Sequence, residues 1–486
     1  MISYQPAKYD DSRRARPLTG RANTTGPATE ARLAGLTSLL LLGWWTLQQS
    51  QFVIAPNGGA TNGGDLTLSL KATEEGSVFN SLIVAAFGAL GALYLRRGAP
   101  LLGDRRVRVV VVLLCLYVVW ASATVFWSVE SALTIRRSIQ LALVILGCGG
   151  LGLGFYGMAE DGQRKLARHA VIAGCVAMVA LWGSIARYGD ASLLDPSWSV
   201  KNLYFGTQGI LYPLAFSAVA FVWLCQQRML GGSRALLYAG ACLISAFAIK
   251  GRFITAFSLV VVLAQTLLEP RLSFRKVLAC LVVLGVGAYG LGVLAALGGQ
   301  PAIGQITDTL WTYVTLDTGG GDVATLTGRT PLWDELIRSL QEQPWWGYGF
   351  GAFWNPDNMA RIWKVIGWNA PAGHEGYLDE ALGTGLIGLS LFLCVWLVGL
   401  VLATRARLQH IDPFATIVLA WMILFLMYNV GDSIMQSYFQ VPFYASLTAL
   451  FALLGQQARQ ARPRPNLRSA ILRFDGSSPN ATSKRT

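Results

Sequence analysis

The sequence predicts an all-α polytopic membrane protein of about 12 transmembrane helices, and three observations predict it. Hydrophobic residues make up 53% of the 486 positions and charged residues 13%, whereas a soluble domain carries roughly 25% charged residues. Apolar runs long enough to cross a bilayer recur through most of the length. Lysine and arginine gather in alternate loops and in both tails, the pattern of cytoplasmic loops.

The expected spans are Leu33–Pro56, Ser77–Leu95, Val107–Phe126, Ser138–Tyr156, His169–Ile185, Ile210–Cys225, Leu236–Ile249, Phe253–Leu268, Val277–Leu297, Leu378–Ala403, Phe414–Val430 and Val441–Leu454. Arg96, Arg97, Arg105, Arg106 and Arg108 follow the second span; Arg164, Lys165 and Arg168 follow the fourth. Arg228 and Arg234, then Arg271, Arg275 and Lys276, then Arg405 and Arg407 follow the sixth, eighth and tenth. Every even-numbered loop is basic, which puts both termini in the cytoplasm. One membrane domain results: a basic tail at 1–32, nine spans within 33–297, a large external loop at 298–377, three spans within 378–455 and a basic, Pro/Ser-rich, disordered tail at 456–486. No cleavable signal peptide is read, because residues through Arg32 are polar and basic and no small-residue cleavage site follows the first apolar run.

The net charge of +13 is a topology signal and not a nucleic-acid one, since basic segments interleaved with aromatics are missing. The seven cysteines, Cys115, Cys148, Cys175, Cys225, Cys242, Cys280 and Cys394, all fall in apolar runs without metal-ligand spacing. They read as small core residues, with no disulfide or zinc site.

The external loop carries its own helical signals. Thr330-Pro331 suits a helix start, with Asp334 and Glu335 complementing its positive end and an apolar face at Leu332, Trp333, Leu336, Ile337 and Leu340. Gln343-Pro344 stops it, and a second short helix starts at Asn355-Pro356-Asp357 and runs through Ile366. The aromatic run Trp345-Trp346-Gly347-Tyr348-Gly349-Phe350 joins them and suits the membrane interface.

Candidate chemistry lies along this external side. Arg329 immediately precedes the helix start, where its guanidinium and the free N–H groups would converge on a phosphate; the ordinary alternative is a surface pair with Asp334. Lys250 and Arg252 occupy a minimal external turn, either as an anion site or as snorkelling anchors. Lys201-Asn202 and Arg136-Arg137 pose the same question, with Glu130 able to neutralise one of the latter pair. His374 is the one histidine on the external side and has the side chain suited to proton transfer near neutral pH; the alternative is a capping or interface histidine. Glu375, Tyr377, Asp379 and Glu380 follow it, and Asp432 lies further along; Asp379, Glu380 and Asp432 are candidates to pair with the arginines. No carboxylate cluster has metal-site spacing, and no nucleotide fingerprint is present, so metal-independent chemistry without a cofactor is expected.

Gly328-Arg329-Thr330-Pro331-Leu332-Trp333, the run Pro344 to Phe353, His374-Glu375-Gly376-Tyr377-Leu378 and Gly383-Thr384-Gly385-Leu386-Ile387-Gly388 together resemble the signature of the O-antigen ligase and Wzy-type polysaccharide polymerase superfamily. Trp127-Ser128 with Arg136-Arg137, Lys201-Asn202 and Gly251-Arg252 add weaker likenesses. Glu375 departs from the asparagine that commonly follows the histidine, and Leu378-Asp379 looks more like exopolysaccharide polymerases than lipopolysaccharide core ligases.

The resemblance implies a GT-C-like glycosyltransferase of the bacterial inner membrane with its active site facing the periplasm. Its donor would be an oligosaccharide on undecaprenyl diphosphate and its acceptor another glycan. Arg252 and Arg329 would bind the diphosphate and His374 would assist the acceptor. Lys201, Asn202, Lys250, Arg136, Arg137, Glu375, Tyr377, Asp379 and Asp432 would line the substrate. Membrane lipids, and a flippase or chain-length and export proteins, are the implied partners. A ligase acting on lipid A–core shares the donor; a transporter or flippase, or a scaffold, is the alternative of another class.

Overall fold

The computed structural model describes residues 78–159, 161–188, 207–248, 252–267, 329–368, 370, 372–409, 412–435 and 440–461. Among these the regular elements are all helical. We number them α1 (Val78–Gly98), α2 (Arg105–Ala123), α3 (Ser131–Gly150, continuing as a wider π-helical turn at Leu151–Gly157), α4 (Gly162–Tyr188), α5 (Thr207–Gln226), α6 (Gly232–Ala248) and α7 (Arg252–Leu267). After these come α8 (Arg329–Glu342), α9 (Pro356–Ile366), α10 (Gly376–Leu408), α11 (Ala415–Tyr428) and α12 (Val441–Gln460).

Each expected span coincides with one of these helices except Leu33–Pro56 and Val277–Leu297, which lie outside the described residues. Five stretches are long and apolar enough to cross a membrane: Ser81–Gly103, Arg105–Phe126, Ser131–Gly157, Gly162–Gly183 and Gly376–Leu408. Ile210–Gln226, Ile254–Thr266 and Ala415–Tyr428 are shorter apolar helices. The protein is a multi-pass, all-α membrane protein.

Contacts between loops sort the helix ends into two layers. At one end Arg106 donates to Gln457 (2.9 Å), Arg459 to the Met158 carbonyl (2.5 Å), Gln163 to Asp412 (2.6 Å) and Trp223 to the Pro413 carbonyl (3.1 Å). The loops that carry Arg96 to Arg108, Arg164 to Arg168, Arg228 and Arg234, and Arg405 and Arg407 therefore share one face. At the other end Phe350 N–H donates to Thr124 (2.9 Å), Val129 N–H to the Tyr348 carbonyl (3.0 Å) and Gly376 N–H to the Asn429 carbonyl (2.7 Å).

Between the layers lies an apolar core. Trp396 stacks on Phe425 with centroids 4.1 Å apart, and Phe392 and Phe443 pack around them. Helices α1 and α3 meet through glycine: a Cβ on Gly150 would lie 1.9 Å from the Gly91 carbonyl oxygen, the close backbone approach that small residues allow between membrane helices.

The outer layer has a core of its own, made by Leu332, Leu336, Tyr348, Phe353, Trp354, Met359 and Ile362. The α9 boundaries follow from local chemistry. Asn355 accepts from Asn358 N–H (2.9 Å), Pro356 fills the first position, and Gly367 closes the helix at φ 80°. Two expectations need correction. Arg329 is the first residue of α8 and not the one before it. Glu335 does not serve the α8 terminus; its carboxylate meets Arg361 of α9 at 2.7 Å and Arg338 at 3.5 Å, which ties the two outer helices together.

A larger departure lies inside α10, expected as an unbroken span. Gly385 has φ 71° and ψ 177°, so the helix is interrupted there. The aromatic segment 344–350 enters the gap. Tyr348 N–H donates to the Leu382 carbonyl (2.8 Å), Gly349 N–H to the Gly383 carbonyl (3.0 Å), and Leu386 N–H to the Pro344 carbonyl (2.8 Å). Trp120 of α2 supplies its indole N–H to the Thr384 carbonyl at 2.8 Å. The Leu382, Gly383 and Thr384 carbonyls and the Leu386 N–H thus find partners at the break; unsatisfied, each would cost several kcal/mol in hydrocarbon.

Gly385→Ala should therefore lower the melting temperature in detergent far more than Gly367→Ala. Both place a Cβ at positive φ, worth about 1–2 kcal/mol, but only at Gly385 would that carbon meet backbone, 2.0 Å from the Trp345 carbonyl oxygen. Equal losses in the two variants would show that the stitched break carries no extra stability.

Candidate functional site

The outer layer and the α11–α12 connection meet at His374. This residue sits between α9 and α10 with φ 51°, a left-handed backbone uncommon outside glycine. Its neighbours hold it there. Gly373 N–H donates to the Asp379 carboxylate (3.0 and 3.2 Å), and Trp333 of α8 donates its indole N–H to the Gly373 carbonyl (2.9 Å). Trp368 lies over the imidazole in near-parallel stacking, centroids 6.1 Å apart and planes 26° from each other.

Asp379 is the anchor of this arrangement. It is 1% exposed, and beyond Gly373 it accepts from the Trp354 indole (2.9 Å) and from the Ser433 hydroxyl. Three segments therefore converge on one carboxylate: the His374 turn, the aromatic loop and the 429–435 connection. Glu380 points to the other side of α10, toward the Tyr117 hydroxyl and Thr384, both at 2.8 Å. Among the described contacts these two acids meet hydroxyl, indole and backbone groups. Tyr377 likewise sends its hydroxyl to the Leu426 carbonyl of α11 (2.7 Å). Asp379 and Tyr377 thus tie the start of α10 to the aromatic loop, the 429–435 connection and α11.

Arg329 and Asp432 complete the group around His374. The Arg329 guanidinium donates to the Gly431 carbonyl at 3.0 Å, one residue from Asp432. Asp432 accepts from the Tyr212 hydroxyl of α5 at 2.6 Å. Burial lowers the Arg329 pKa, and the Asp432 charge offsets this. Burial also lowers the His374 pKa below its ordinary 6.5; the Arg329 charge lowers it further and Asp432 raises it. These shifts favour the neutral imidazole, the form able to accept a proton. Glu375, whose carboxylate caps α10 at Leu378 N–H, is pushed up to about 7, chiefly by burial and opposed by the N–H groups of Leu378 and Tyr377.

The remaining candidates divide. Lys201, Asn202 and Lys250 lie outside the described residues. Arg252 is the first residue of α7, on the same end as His374. Six residues further along α7, Ser258 meets the Tyr428 hydroxyl at 2.5 Å, and Tyr428 closes α11 four residues before Asp432. Arg136 and Arg137 lie near the outer end of α3, where the Arg137 side chain packs against Gly351 of the aromatic loop. Sequence reasoning missed Tyr212, Trp354, Trp368 and Ser433. Ser433 stood beside Asp432, and Trp368 lies only six residues before His374; Tyr212 and Trp354 carried no local signal, since their partners lie 220 and 25 positions away. Among the described residues no group of His, Cys, Asp and Glu is arranged to hold a metal ion.

The fold and this polar group define a multi-pass helical membrane protein with a histidine, an arginine and a carboxylate gathered at one end. No family model matches the chain. It is 27% identical over 295 residues to the exopolysaccharide production protein ExoQ of Rhizobium meliloti (strain 1021), a match that covers 57% of this chain and 62% of that protein. The chain thus aligns with less than two thirds of that relative and is distantly related to an exopolysaccharide production protein.

Two outcomes follow. Asp432→Asn removes the charge that favours the imidazolium, so the His374 ring should titrate at lower pH by NMR; an unmoved or upward midpoint would contradict the assigned electrostatics. A carboxyl whose folded pKa is raised loses its stabilising influence between its ordinary and its folded pKa, so wild type should weaken as pH climbs from 4.5 to about 7 and level off beyond it. Glu375→Gln keeps an acceptor for the cap without that charge, and its melting temperature relative to wild type should rise between about pH 5 and about pH 8.

Proposed function

We propose that the protein is a membrane glycosyltransferase that joins undecaprenyl-diphosphate-linked oligosaccharide repeats into exopolysaccharide. The observation that carries the reading is the meeting of Arg329, His374 and Asp432 in one half-buried group at the end opposite the basic loops. By the positive-inside rule the basic end is cytoplasmic, so the site faces the periplasm of the inner membrane and both termini are cytoplasmic.

The proposed reaction breaks the bond between the anomeric carbon and the diphosphate oxygen of the donor. A hydroxyl oxygen of the acceptor glycan forms the new glycosidic bond from the opposite face, with inversion. The bonding electrons leave with undecaprenyl diphosphate, whose growing charge Arg329 and Arg252 neutralise; Lys201 is a further candidate. Fixed cations aimed at developing charge are worth about 10²–10³ each in rate. His374 takes the hydroxyl proton, worth roughly 10²–10⁴. The energy resides in the donor's phosphoester, so neither a nucleotide nor a metal enters the scheme. Trp345 and Trp346, 59% and 52% exposed, anchor the aromatic loop at the lipid interface, and Trp368 offers a face for a sugar ring.

The relative's name, exopolysaccharide production, favours polymerisation over transfer of a finished glycan to lipid A–core. A flippase and chain-length or export proteins are the partners such a polymerase needs.

The full chain in nanodiscs, given a synthetic undecaprenyl-diphosphate-linked repeat alone, should extend it into longer glycans. Arg329→Ala, Arg252→Ala and His374→Ala should each reduce extension by about 10²-fold or more. Growth that appears only with lipid A–core would replace polymerase by ligase. Extension undiminished in all three variants would place the chemistry elsewhere.

A further inference from the structure

The membrane-spanning body holds a cavity of about 360 Å³ whose lining includes none of the His374 group. Its wall includes Leu102, Val111, Cys115, Val119, Gly149 and Phe451, with no ionisable side chain other than the thiol. Val111, Cys115 and Val119 recur along one stripe of α2. Arg108 continues that stripe by one turn toward the basic end. It is exposed, and its guanidinium donates to the Gly103 carbonyl at 3.1 Å, beside the Leu102 that lines the cavity. The guanidinium is therefore held next to the lining residue Leu102, at the basic end of the cavity.

We propose that this cavity takes one acyl chain of an anionic phospholipid from the leaflet at the basic end, with the lipid phosphate on Arg108. Three physical points carry the assignment. First, the lining offers an apolar chain everything and a headgroup nothing, so the polar part must stay at the mouth. Second, Arg108 to Val119 spans about 16 Å of helix, half of the ~30 Å hydrocarbon core. That is the depth of one leaflet, so a chain anchored in the far leaflet would have to cross the midplane to fill it. Third, the nearest carboxylate does not oppose an anion at Arg108. Asp104 is held by Arg106 through contacts of 2.9 and 3.1 Å, and Arg105 adds an exposed cation one turn away. Basic groups beside a cavity between membrane helices on this side are a recognised setting for anionic lipids. The lipid fills space among α2, α3 and α12 and stabilises the folded protein by mass action.

The test counts lipids on the purified full chain by native mass spectrometry after exposure to dioleoyl-phosphatidylglycerol or dioleoyl-phosphatidylcholine. Wild type should retain one phosphatidylglycerol with about fivefold preference over phosphatidylcholine, the effect of one arginine near a charged headgroup. Arg108→Gln, at an exposed position, should erase the preference while leaving the lipid-free melting temperature unchanged. Cys115→Trp, which fills the cavity, should diminish retention of both lipids. Equal retention of the two lipids by wild type, or a preference that survives Arg108→Gln, would overturn the proposal. So would one-for-one displacement of phosphatidylglycerol by undecaprenyl diphosphate, which would assign the cavity to the donor. None of these outcomes depends on glycosyl transfer.

Discussion

The interruption of α10 at Gly385 is the constraint on which the outer half of the molecule depends. A helix broken within the membrane exposes backbone groups that hydrocarbon cannot satisfy. Here the Leu382, Gly383 and Thr384 carbonyls and the Leu386 N–H are met by Tyr348, Gly349, Trp120 and Pro344. The aromatic loop is thereby bound into the helix and not merely laid upon it. Because that loop also carries Trp354, which donates to Asp379, the break fixes the carboxylate that fixes the His374 turn. A single helical defect thus propagates by hydrogen bonds to the residue with the left-handed backbone.

The electrostatics around His374 follow from the same crowding. A half-buried imidazole beside a half-buried guanidinium resists protonation, since desolvation and like charge act in one direction. Asp432 acts against both and is itself held by Tyr212. The balance leaves a neutral base next to a cation, which is the pairing needed to accept a proton while an anion departs. Glu375 fits into this setting through burial. Its carboxyl, pushed up to about 7, is more readily uncharged near neutral pH than an ordinary glutamate.

Much of the membrane body was legible because hydrophobic length is a long-range average that single residues barely disturb. The α9 limits were legible for a different reason: Asn355-Pro356 acts locally on the backbone. The break in α10 was not, although Gly383-Thr384-Gly385 was in view. Glycine is frequent in membrane helices, and only the partner loop decides whether it bends, packs or breaks. Asp379 and Tyr377 were placed on the right helix, but their side-chain directions depend on Ser433 and Leu426, about fifty residues away. Tyr212 and Asp432 are separated by 220 positions, and no local pattern joins them. Arg329 and His374 stood out because both lie in the longest polar stretch of an otherwise apolar chain, so the residues were legible without their geometry.

The distribution of polar groups also bears on the choice between surface chemistry and transport. A through-path needs polar lining across the midplane. Between the His374 group and the basic loops the centre is instead filled by Trp396, Phe425, Phe392, Phe443 and Trp421, all fully or almost fully buried and in ring contact with one another or with Phe216. Moving a glycan through this packing would require separating stacked aromatic rings. The proposed lipid-linked donor would need no such passage, because its tail would stay in the bilayer while its diphosphate approached Arg329 from the side. The closed centre and the open polar end therefore favour a reaction at the membrane surface over a route across it.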